Sequence, residues 1–64
     1  MKYSEAIKKL RLIMCYTQEE FGALFGVSFS TVNRWEAGLH EPTMKIKRKL
    51  KEYFDKENIK IEVE

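Results

Sequence analysis

The sequence predicts a small all-α domain, a bundle of short helices with one candidate β-strand at the C-terminal end. Three observations carry that expectation. Apolar residues recur at spacings of three and four over most of the chain, helix caps and glycine stops punctuate it at short intervals, and no low-complexity tract or internal repeat interrupts it. With 64 residues, 44% hydrophobic and 34% charged, one globular domain is the ceiling and its core is thin.

The first helix is expected to be capped by Ser4, with Tyr3, Ile7, Leu10 and Met14 on one face and its end near Cys15 and Tyr16. Thr17 opens the second helix with a capping box, because Glu20 stands three residues on and can accept from the Thr17 backbone amide. Phe21, Leu24 and Phe25 are its expected buried face. Gly26 stops it, and only Val27 separates that stop from Ser28, the next cap. So short a turn makes the second and third helices cross steeply, and Gly22, costly inside a helix, is read as the small residue that lets their backbones approach. The third helix runs from Phe29 to Ala37 with Val32, Trp35 and Ala37 inward, and Gly38 ends it. Pro42 starts a fourth helix carrying Ile46, Leu50, Tyr53 and Phe54 on its apolar face. Beyond Lys56 the period becomes two: Ile59, Ile61 and Val63 alternate with Lys60, Glu62 and Glu64. This strand candidate either pairs with a copy of itself or lies extended over the helices.

The residue inventory excludes several functions. One cysteine, Cys15, cannot form an internal disulfide, and with one histidine, His40, it cannot supply a four-ligand zinc site. With a single Asp besides, at Asp55, a nucleophile, base and orienting group cannot be assembled in the usual way, so neither an enzyme nor a bound cofactor, metal or small-molecule ligand is expected. No apolar run reaches the roughly 18 residues of a membrane span, and Met1 to Glu5 lack the apolar stretch of a signal peptide, which points to the cytoplasm. The net charge of +2 conceals a polarised chain: +1 over residues 1–39, +4 over 40–51 and −3 over 52–64. Lys45, Lys47, Arg48, Lys49 and Lys51 form the basic block.

The run from Thr17 to Gly38, TQEEFGALFGVSFSTVNRWEAG, followed by Pro42, resembles the helix-turn-helix of the Cro and phage-repressor (XRE-like) family. Leu10 and Arg11 stand where that family carries a Leu-Arg pair, so the likeness spans about residues 4–55. The resemblance implies a lambda repressor-like bundle of four to five helices, with a helix-turn-helix domain over residues 1–57, and the period-two pattern leaves 58–64 as an extended tail or strand. The resemblance also implies that residues 28–37 form a recognition helix entering the major groove of double-stranded DNA. With Val32 and Trp35 inward, the outward candidates for base contact are Phe29, Ser30, Asn33 and Arg34. Arg34 suits guanine O6 and N7, Asn33 adenine, Ser30 either, and Phe29 a thymine methyl. Gln18 matches the family position that grips a phosphate, with Thr31 and Lys45 as further phosphate contacts. In the family an ion pair links the first helix to the end of the third, and Arg11 and Glu36 are the corresponding residues.

Leu12, Ile13 and Cys15 depart from the family pattern. The expectation is a sequence-specific transcriptional regulator, dimeric on a palindromic operator. The alternative is a protein-binding helix-turn-helix of the bridging-factor kind, or an antitoxin.

Overall fold

A computed structural model describes residues 1–61. Among them are four helices and no strand: α1 (Tyr3–Ile13), α2 (Gln18–Phe25), α3 (Phe29–Glu36) and α4 (Met44–Lys56). Each apolar face meets the others in one core built from Ala6, Ile7 and Leu10 of α1, Phe21 and Phe25 of α2, Val32 and Trp35 of α3, and Leu50 and Phe54 of α4. Phe25 is its aromatic hub, with ring centroids 5.1 Å from Phe21, 6.5 Å from Trp35 and 6.0 Å from Tyr53. Edge-on and tilted pairs of this kind add to the area they bury.

All four helices end in the same way. Cys15, Gly26, Gly38 and Asn58 adopt positive φ values of 59°, 70°, 76° and 56°. After each, the next backbone N–H reaches back five residues: Tyr16 to Arg11, Val27 to Gly22, Leu39 to Arg34 and Ile59 to Phe54, at 2.8–3.1 Å. This is the Schellman motif, which satisfies the last carbonyls and turns the chain sharply. Glycine takes the left-handed conformation freely and asparagine tolerates it, but Cys15 carries a Cβ into it at a cost of roughly 1–2 kcal/mol. Cys15→Gly is therefore expected to raise stability by about 0.5–1 kcal/mol, since the added freedom of glycine in the unfolded chain offsets part of the relief. Thermal or urea unfolding checks it, and a destabilised variant refutes it.

Several sequence expectations are corrected. Lys2, not Ser4, caps α1, and it does so without a side-chain hydrogen bond. Tyr3 is drawn into the helix by its neighbours: its ring lies 6.4 Å from Phe54, and Lys47 Nζ sits 4.7 Å over it. Leu24 is 38% exposed, so α2 buries Phe21 and Phe25 without it. Ala37 is exposed, just past the last turn of α3. Pro42 is buried two residues ahead of α4, whose cap is Thr43. The period-two tail is not a strand over residues 59–61; Ile59 is in the core and Ile61 packs against it, while Lys60 faces out. Alternation here records one side of an extended segment lying on helices. Val63, the last apolar position of that pattern, lies outside the described residues.

Candidate nucleic-acid interface

The placement of α3 against α2 is set by a contact that excludes any side chain. A Cβ on Gly22 would stand 2.5 Å from the Val27 carbonyl oxygen and 3.3 Å from both the Ser28 carbonyl oxygen and Val32 Cγ2. The turn between the helices therefore rests directly on the backbone of α2. At the other end of that turn the Ser28 side chain accepts from the Thr31 backbone N–H, so α3 starts where the turn delivers it.

Val32 and Trp35 anchor the inner face of α3, which leaves Phe29, Ser30, Asn33 and Arg34 exposed on its outer side. Phe29, at 56% exposure, is not a core residue. Ala37 continues the same outer line, one the sequence pattern had assigned inward; a period of 3.6 places it beside Ser30 and Asn33, and its methyl group suits contact with a thymine methyl. Thr31 is half-buried, with its hydroxyl 3.2 Å from that of Ser28.

Gln18 opens α2 behind the capping box, in which Glu20 N–H donates to Thr17 Oγ1 at 3.1 Å and Thr17 N–H donates to Glu20 Oε1 at 2.9 Å. Its side chain points inward. Nε2 donates to Asn33 Oδ1 and to Glu36 Oε1, both at 3.3 Å. With both hydrogens so directed, the donors left at this corner are the backbone N–H groups of Gln18 and Glu19, first-turn amides of the kind that bind phosphate. No sequence signal pointed to the bond with Asn33, since it depends on how two helices lie against each other.

Arg11 and Glu36 meet in a fork. Arg11 Nε donates to Glu36 Oε2 at 2.7 Å, Nη2 donates to Oε1 at 3.0 Å, and Nη1 donates to the Tyr16 carbonyl at 3.0 Å. Their side chains are 14% and 7% exposed. The hydrogen bonds to Glu36 hold the Arg11 pKa above its ordinary value, against the opposing effect of burial. The pair ties the end of α1 to the end of the helix that carries the outward residues.

Not all of the basic block faces solvent as free charge. Lys47 donates to Glu41 Oε1 at 2.7 Å and Lys51 to Asp55 at 3.3 Å. Lys45, Arg48 and Lys49 are exposed on α4, with Lys45 in its first turn, next to the loop that leaves α3. Among the described residues no group of three His, Cys, Asp or Glu side chains could hold a metal ion, and no helix is long and apolar enough to cross a membrane.

A family model described as helix-turn-helix matches residues 7–57. No curated protein and no solved structure matches the chain. The family match starts at Ile7 within α1 and runs through α2, α3 and α4, including the Gly22 contact, the Gly26 to Ser28 turn and the exposed side of α3. The chain belongs to the DNA-binding helix-turn-helix family of Cro and phage-repressor (XRE) type.

Proposed function

We propose that the protein is a sequence-specific transcriptional regulator that places α3 in the major groove. The observation carrying this reading is the exposed line Phe29, Ser30, Asn33 and Arg34 on a helix whose opposite face is locked into the core through Val32 and Trp35. A helix so anchored presents its polar side chains at fixed positions, as direct readout of base edges requires. Phosphate contacts at the flanks come from the first turn of α2 at Gln18, from Thr31 and from Lys45, and they set register without reading sequence. No cofactor or small ligand takes part, and regulation is by occupancy, in the cytoplasm.

The working state is a homodimer on a two-fold site. Half-sites one helical turn apart need recognition helices about 34 Å from each other. The domain measures 26 × 23 × 19 Å, so two copies side by side, each with α3 on the side away from the dyad, reach that separation.

The test is binding-site selection with purified protein, followed by fluorescence polarisation over a salt series. Arg34→Ala is expected to cost about 1–3 kcal/mol on the selected site and to relax preference at one base pair. Lys45→Ala is expected to weaken binding to all sequences alike and to reduce the slope of log K against log salt by about 0.9. No preferred sequence, together with unaltered binding by Arg34→Ala, would sink the proposal. A protein-binding module relying on protein contacts alone would show neither the preference nor the salt slope, whereas an antitoxin would combine DNA binding with a protein partner.

A further inference from the structure

We propose that Glu36, which is too deep to reach DNA, is a positioning residue for base readout: it sets which way the Asn33 side-chain amide faces in the groove. The inference rests on the DNA-binding reading of α3. It starts from one oxygen, Glu36 Oε1, which accepts from Arg11 Nη2 at 3.0 Å and from Gln18 Nε2 at 3.3 Å.

A carboxylate is acceptor only. If the Gln18 amide turned over, its own oxygen would face Glu36 Oε1 and two acceptors would meet with no proton between them, so the carboxylate forces Nε2 inward. Nε2 in turn donates to Asn33 Oδ1 at 3.3 Å, and a flipped Asn33 would set donor against donor. Asn33 therefore keeps Oδ1 toward Gln18 and offers its Nδ2 hydrogens outward. Glu36 cannot swing out of this arrangement, because Arg11 holds its second oxygen at 2.7 Å. The chain Arg11, Glu36, Gln18, Asn33 links three helices and ends on the exposed face of α3.

The outward Nδ2 faces a purine N7, and the remaining lone pair of Oδ1 is left for adenine N6, so the amide meets adenine's acceptor and donor in one order. Without the network Asn33 would sample both orientations and others beside, and ordering it would fall to the DNA complex.

Two variants cut the chain at different links. Arg11→Met with Glu36→Leu replaces the charges by apolar side chains of similar bulk, which keeps packing. Gln18→Met leaves the ion pair intact. In both, preference for the selected base pair at the position that responds to Asn33→Ala should fall about five- to tenfold, with preference at the Arg34 position retained. Glu36→Gln can turn either its oxygen or its NH2 toward Gln18, so it should not hold the amide one way and should lower the same preference. In the free protein, the Gln18 side-chain NH2 resonances should exchange with water faster in the double variant than in the wild type. Unchanged preference in a folded Gln18→Met or double variant overturns the proposal. If the wild type itself binds without preference, the DNA reading fails instead, and the Gln18 exchange rates then decide on the network alone: equal rates in wild type and double variant overturn it.

Discussion

Glu36→Ala is expected to remove about 2–4 kcal/mol of stability, just under the range for stripping one partner from a fully buried ion pair, because this pair is part-buried. The Arg11 side chain is 14% exposed, so its guanidinium would stay largely shielded from water after losing two of its three hydrogen-bond contacts. A domain of this length has a total stability of roughly 3–10 kcal/mol, so the loss takes a large share of it and reaches half unfolding at the low end of that range. Arg11→Ala should be nearly as costly, because it also frees the Tyr16 carbonyl at the turn after α1. The paired change Arg11→Met with Glu36→Leu should recover most of the loss, as apolar replacements of buried ion pairs commonly do.

Alkaline pH will not reproduce the effect. A group whose folded pKa is raised lends stability that is complete below its unfolded pKa and drains only as pH climbs through the folded one, and for Arg11 both lie above any working pH. Lys47 is raised by its hydrogen bond to Glu41, so its smaller contribution is complete below its ordinary pKa and is lost only in the strongly alkaline range. Urea unfolding of the three variants is the measurement; Glu36→Ala within 1 kcal/mol of wild type would refute the expectation.

What could be read from the sequence was what is settled locally. The capping box at Thr17 and Glu20, the Gly26 stop and the Ser28 cap each involve residues within three or four positions of one another, and all three appear at the expected places. The outward side of α3 was legible for the same reason, since burial of Val32 and Trp35 leaves Ser30, Asn33 and Arg34 no other direction. Failures came where one helix answers to another. Ser4 is a better cap than Lys2 by residue type, yet Tyr3 is held in the helix by Phe54 and Lys47, residues more than forty positions away. Leu24 satisfies the period of α2 but lies at the rim of a thin core. The inward turn of Gln18 depends on both α1 and α3, and no spacing within α2 could have shown it.

Gly22→Ala should destabilise the protein by about 1–3 kcal/mol, the reverse of what helix propensity alone would give. In an open helix interior the change adds close to 1 kcal/mol of stability, because alanine loses less backbone freedom on folding. Here the new methyl carbon would lie 2.5 Å from the Val27 carbonyl oxygen. Backbone cannot rotate aside as a side chain end can, so the turn must lift away from α2 by the better part of an ångström. Val27 N–H donates to the Gly22 carbonyl at 2.9 Å, so that lift strains the Schellman bond closing α2 as well as the start of α3. α3 would then be displaced relative to Gln18 and Lys45. Binding to the selected operator should therefore weaken more than binding to unrelated DNA, where phosphate contacts alone decide. Denaturation and paired titrations against selected and scrambled duplexes read both effects. A more stable Gly22→Ala variant with undiminished preference would show that the close approach of α2 and the turn does not govern how α3 is presented.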